Sequence, residues 1–145
     1  MLETKTKQRI SLGVYFFLSG FCFASWASRI PTIKELFNLN DAQLGNILLA
    51  MPLSSLAGLP ISGWLVSKFD SRQPLLVSFI TFCLAILGIA FSSSILLLVL
   101  SVCCFSFSMR IFNIAMNSQS IMLEKGYGKR INGSFHGLWS TGGLV

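Results

Sequence analysis

The stretch SFSMRIFNIAMNSQS, Ser106–Ser120, decides the fold. Arg110 is the only charged residue between Ile95 and Met122, inside a run otherwise apolar enough to cross a membrane. An arginine near the bilayer centre costs about 2.5–3.5 kcal/mol on insertion scales, so it faces protein or a water-filled cavity. Ser106, Arg110, Asn113, Asn117, Ser120 and Glu124 recur at steps of three and four. That spacing predicts a helix with one polar face.

The rest of the chain supports a membrane reading. Its 145 residues are 53% hydrophobic and 11% charged, with a mean hydropathy of +0.72. Soluble domains run about 25% charged, so this stock cannot build a water-facing surface. Cys22, Cys83, Cys103 and Cys104 lie in apolar runs without CxxC or Cys/His spacing. They read as small buried hydrophobes, and no metal or cofactor is expected. One histidine and five acids leave little for catalysis, so no enzymatic chemistry is expected. The net charge of +6 is spread over short loops instead of one basic face, which argues against nucleic acid.

A span needs roughly 20 apolar residues to cross about 30 Å of hydrocarbon. Four such runs occur, at about 10–28, 41–66, 74–91 and 95–123, and an incomplete fifth covers 132–145. The expected class is an all-α integral membrane protein with four transmembrane helices and a truncated fifth. Ile30-Pro31 is expected to end the first span, because proline disfavours helix at the residue before it. Asn40 or Asp41 is placed to cap the second helix.

Basic residues set the orientation. With a cytoplasmic N-terminus, that side carries Lys5, Lys7, Arg9, Lys68, Arg72, Lys125, Lys129 and Arg130, against Arg29 and Lys34 outside. This is a strong positive-inside bias. The expectation is a multi-pass protein of the inner (plasma) membrane with its N-terminus inside. A rival reads residues 5–28 as a cleaved signal peptide with a Ser25-Trp26-Ala27 site, but the apolar stretch is long for that.

The helices differ in their faces. Ser11, Tyr15, Ser19, Cys22, Trp26 and Arg29 line one side of the first. Taken alone that stripe favours packing, since serine and cysteine bond to the preceding helical turn. Ala50, Ser54, Gly58 and Ser62 form a small-residue stripe on the second, where helices approach closely, while Pro52 and Pro60 should bend or loosen it. The third has no such stripe and can meet lipid. Arg110, Asn113 and Asn117, with Trp26 and Ser19, form the candidate substrate-facing set. Glu124 and His136 are candidates for proton handling or gating, although a lone histidine at a helix entry more often makes a structural hydrogen bond. An imidazole is the side chain that changes charge near physiological pH.

Short basic loops, polar first and fourth helices, and a second helix ending in GWLVSKFDSR resemble the N-terminal half of a major facilitator superfamily transporter. The family's loop signature is G-x-x-x-D-[RK]-x-G-[RK]-[RK]. Gly63, Lys68 and Arg72 match it, whereas Ser67, Asp70 and Ser71 depart from it. Asp70 is a candidate to replace the missing acid from a shifted position. The segment IAMNSQSIMLEKGYGKRINGSFHGLWSTGGL is similar to a bacterial branch of that superfamily. Ala115, Met116, Asn117, Gln119, Glu124, Phe135, His136, Ser140, Gly142 and Leu144 carry this likeness. Ser19-Gly-Phe-Cys-Phe and Ser101-Val-Cys-Cys-Phe, each followed by an Arg-Ile pair, are the internal likeness that repeat-related first and fourth helices would show.

The resemblance implies part of a six-helix N-terminal bundle. It further implies alternating-access transport of a small polar solute, coupled to protons or another ion, with no nucleic-acid partner. On this reading the chain is an N-terminal fragment whose partners are the solute, the lipid bilayer and a missing C-terminal remainder. The alternative is a small four-helix membrane protein that binds or regulates a membrane partner.

Overall fold

The computed structural model describes residues 2–145. Five helices follow in order: α1 Leu2–Leu36, α2 Asp41–Lys68, α3 Arg72–Ala90, α4 Ile95–Tyr127 and α5 Asn132–Leu144. Among the described residues there is no strand. The first four helices are long and apolar enough to cross a membrane. The fold class is therefore all-α and membrane-embedded, as the apolar runs predicted.

Helix α1 has 35 residues, or about 52 Å at 1.5 Å per residue, against about 30 Å of hydrocarbon. It runs past the apolar stretch at both ends and continues through Pro31. Ile30-Pro31 does not end the helix. Pro31 is exposed, and polar surroundings can satisfy the carbonyl that its ring leaves without a partner. The true stop is Asn38, at φ 50°. Its N–H bonds to Glu35 O at 3.1 Å, and Leu39 N–H bonds to Lys34 O at 2.9 Å. That pair of bonds is a Schellman motif with asparagine in the left-handed position. Leu39 and Ile33 are both buried behind it, as the accompanying apolar contact requires.

The next helix starts at once. Asn40 caps α2 by accepting from Gln43 N–H at 2.8 Å, and the Gln43 side chain accepts from Asn40 N–H at 3.0 Å. This reciprocal capping box satisfies two otherwise orphaned donors. Ser94 starts α4 in a similar way, accepting from Leu97 N–H at 3.2 Å. Gly128, at φ 64°, stops it, with its N–H on Glu124 O at 3.0 Å.

The chain divides into two compact units, one running up to Ser28 and resuming over Met116–Val145, the other spanning Arg29–Ala115. In the second unit α3 lies antiparallel to α4. Phe79 and Phe82 meet Phe112 at 5.3 and 5.9 Å between ring centroids, and Phe82 stacks on Phe105 at 5.0 Å. Phe82, Phe105 and Phe112 are fully buried. The opposite side of α3 exposes Leu76, Val77, Ile80, Leu84 and Leu87. An apolar face of this kind is stable against lipid and not against water.

In the first unit α1 and α5 run parallel and touch backbone to backbone. A Cβ on Gly20 would lie 2.0 Å from Trp139 O, and one on Gly142 would lie 2.1 Å from Phe17 O. Phe16 stacks on Phe135 at 5.3 Å, and both are buried. Lys5 Nζ donates to Gly126 O at 2.7 Å. The start of α1 and the end of α4 therefore share one end of the unit.

Candidate functional site

Arg110 sits midway along α4 and is half-buried. Its Nε donates to Ser55 Oγ on α2 at 2.7 Å. One turn earlier, Ser106 Oγ donates to Met51 O at 2.6 Å. Beneath the arginine stem lies Gly58, where a Cβ would come within 3.3 Å of Arg110 Cβ and Cγ. Gly58 of the small-residue stripe and its neighbour Ser55 are thus the seat of Arg110. Gly58 admits the stem and Ser55 holds the guanidinium.

Ser55 was not among the residues singled out by spacing, which favoured Ser54. The row that meets α4 is Met51, Ser55 and Gly58, and Ser62, one turn on, is buried. Spacing three and four apart describes both rows equally well. The signal was present and ambiguous.

The ion pairs among the described residues are Lys7–Glu3 and Lys34–Asp41. No acid in the described chain pairs with Arg110. Its positive charge is held by one neutral hydroxyl, so charge-assisted donor capacity remains for a further acceptor. Asn113 and Asn117 are half-buried and continue the Arg110 face of the helix at one-turn steps.

Other candidates fall elsewhere. Trp26 is buried on α1. Ser19 is fully buried, and its Oγ has no hydrogen-bond partner. Most other hydroxyls follow the ordinary membrane-helix pattern. Ser25, Ser28, Ser62, Ser67 and Ser78 all donate to carbonyls three or four residues back. Ser19 is the exception.

Glu124 has a defined task. Its Oε2 accepts from the N–H groups of Ile131 and Asn132, both at 2.9 Å. Asn132 Oδ1 lies 2.9 Å from the Ser120 hydroxyl. The carboxylate therefore ties the end of α4 to the start of α5, where the helix dipole favours negative charge. His136 is exposed one turn into α5, with its ring edge-on to Phe16 at 5.5 Å.

The α2–α3 turn is organised by an aromatic pair. Lys68 Nζ lies 4.7 Å from the Trp64 ring centre and 5.9 Å from that of Phe69. Trp64 and Phe69 meet edge to face at 6.1 Å. Asp70 is exposed and makes no ion pair among the described residues. Gly63 has open space where a Cβ would go, and Arg72 is exposed at the first position of α3. Where the superfamily pattern calls for an acid beside the cation, this chain offers ring faces, which attract an ammonium through their quadrupole.

Four helices long and apolar enough to cross a membrane, joined by short turns, define a multi-pass membrane protein. The chain belongs to the Major Facilitator Superfamily, whose sequence model matches residues 3–145. It is 33% identical over 138 residues to an uncharacterised MFS-type transporter of Yersinia pestis, covering 95% of this chain and 36% of that protein. An uncharacterised transporter of Sinorhizobium fredii is 29% identical over 130 residues, covering 90% of this chain and 34% of its own length. Membrane protein MosC of Rhizobium meliloti is 32% identical over 130 residues, covering 90% and 32%. The chain thus spans about a third of the length of these relatives. No solved structure matches it.

Proposed function

We propose that the chain is the N-terminal part of a secondary active transporter that moves a small polar solute by alternating access, coupled to protons or another ion. Membership of the superfamily and the transporter names of two relatives support this reading. The proposed setting is the inner membrane, with the N-terminus cytoplasmic. The proposed solute-facing groups are Arg110, Asn113 and Asn117 on one face of α4. Ser19 and Trp26 on α1 are further candidates through their own polarity and burial.

One observation carries the assignment. The Arg110 guanidinium is held by Ser55 and paired with no acid in the described chain. A structural arginine in hydrocarbon should be neutralised by a partner, whereas a binding arginine keeps its charge for the cargo. The planar fork suits a carboxylate, a phosphate or a hydroxyl-rich solute, and the amides supply both donors and acceptors. The Glu124 clamp supports a structural role for that carboxylate ahead of a proton-carrying one.

The test is made in the transporter with Cys22, Cys83, Cys103 and Cys104 replaced. Arg110→Cys should react with a small water-soluble thiol reagent, and a bound solute should slow that reaction. Arg110→Lys should impair transport, because an ammonium cannot reproduce the two-pronged donor geometry. An unreactive cysteine at position 110 together with full activity of Arg110→Lys would overturn the assignment.

A further inference from the structure

A groove of about 600 Å³ runs between α1 and α5 in the first unit. Ile10, Gly13, Val14 and Phe17 form one wall, Phe135 and Leu138 the other, and Arg9 stands at one end with Ser134. Ile10, Val14 and Leu138 are 62%, 50% and 40% exposed. The lining is therefore apolar and open along its length, with a single charge. That charge is fixed in place: Arg9 Cζ lies 5.8 Å from the centre of the Tyr127 ring.

We infer that this groove binds an anionic phospholipid, with one acyl chain along the groove and the phosphate on Arg9. Length and polarity favour this occupant. From Arg9 to Phe17 the helix rises about 12 Å at 1.5 Å per residue, close to the roughly 15 Å of one leaflet's hydrocarbon. A crossing helix would need a groove about twice as long. The polar end lies beside the N-terminal turns of α1, where the Lys5–Gly126 contact and the basic turn after α4 mark the headgroup level. Basic pockets between membrane helices recognise anionic headgroups through this combination of charge and cleft. Gly13 keeps the floor low, since a Cβ there would already meet Leu138 Cδ1 at 3.0 Å.

The experiment is native mass spectrometry of the protein purified from nanodiscs holding equal phosphatidylglycerol and phosphatidylcholine. The wild-type protein should retain phosphatidylglycerol preferentially. Arg9→Gln should lower that retention about five-fold, the effect of one basic residue at an anionic surface. Val14→Trp should lower it as well by filling the groove while leaving Arg9 intact. Leu138→Trp, on the opposite wall, provides a second filling variant should the first fold poorly. Lys129→Gln, at the same level but outside the groove, should lower retention clearly less than Arg9→Gln, through general surface charge alone. Equal retention of both lipids, no retained lipid, or the same loss in Lys129→Gln as in Arg9→Gln would overturn the inference.

Discussion

At the residue scale, the chain places polar atoms in apolar surroundings and resolves each one differently. Arg110 is seated by a glycine and a serine. Ser106 is spent on the Met51 carbonyl, and Lys68 rests on Trp64. Ser19 Oγ is fully buried and has no hydrogen-bond partner among the described residues. A buried hydroxyl without a partner costs roughly 1–3 kcal/mol in desolvation. Ser19→Ala should leave thermal stability unchanged or raise it by up to about 1 kcal/mol. If the hydroxyl contacts solute, the same variant should lose transport while remaining folded. A clear fall in melting temperature would show instead that Ser19 is a structural donor.

At the element scale, glycine placement decides which helices can meet. Gly20 and Gly142 face carbonyl oxygens at distances no Cβ can share, and backbone cannot step aside as a side chain can. Gly20→Ala and Gly142→Ala should each force α1 and α5 apart, with a loss of about 1–3 kcal/mol typical of overpacking. Gly137, with open space around it, is the internal control. Gly137→Ala should be neutral or stabilise α5, since alanine is the better helix former by up to about 1 kcal/mol. Thermal unfolding in detergent measures all three. Equal behaviour of Gly142→Ala and Gly137→Ala would remove the close-contact account.

The α4–α5 turn depends on Glu124 in a comparable way. Glu124→Ala leaves two backbone donors without their acceptor and should cost about 1–3 kcal/mol. Protease access to residues 128–132 should rise with it. Glu124→Gln keeps an oxygen in place, so the turn should stay protected and, on the proposed function, transport should persist. Loss of proton coupling in Glu124→Gln, with the turn still protected, would restore a proton-handling role.

At the scale of the whole molecule, helix directions agree with one another inside each unit. Met51 with Ser106 and Ser55 with Arg110 make α2 and α4 parallel, with α3 antiparallel to α4. In the other unit α1 and α5 are parallel. Both relations are what alternate crossings of a bilayer require. Combined with the distribution of basic residues, they give a topology to test. Reporter fusions after Lys7, Ser71 and Gly128 should be cytoplasmic, and those after Glu35 and Ser93 external. A reporter at Ser71 that reads as external would invert every later span.

Local patterns carried much of this in advance. Apolar run length defined the four long helices, and Asn40 or Asp41 was a candidate cap for α2, of which the structure uses Asn40. Arg110 stood out because a lone charge in an apolar run is costly wherever it points. These are properties of a single helix, set by composition and spacing within a few turns. Pro31 does not end α1, because its exposed position tolerates the lost bond, and Asn38 closes the helix by adopting the left-handed region.

Partner choice was decided only by tertiary structure. Ser54 and Ser55 differ by about 100° around the same helix, and only the packing of α2 on α4 selects Ser55 for Arg110. Only the tertiary structure shows the N–H groups of Ile131 and Asn132 converging on Glu124. Gly20 and Gly142 are two of twelve glycines until two helices are laid together. The sequence by itself determines which helices form and which faces are polar, because those depend on neighbours along the chain. Which faces meet depends on rotation and register between separate helices, and those are settled only where the helices pack.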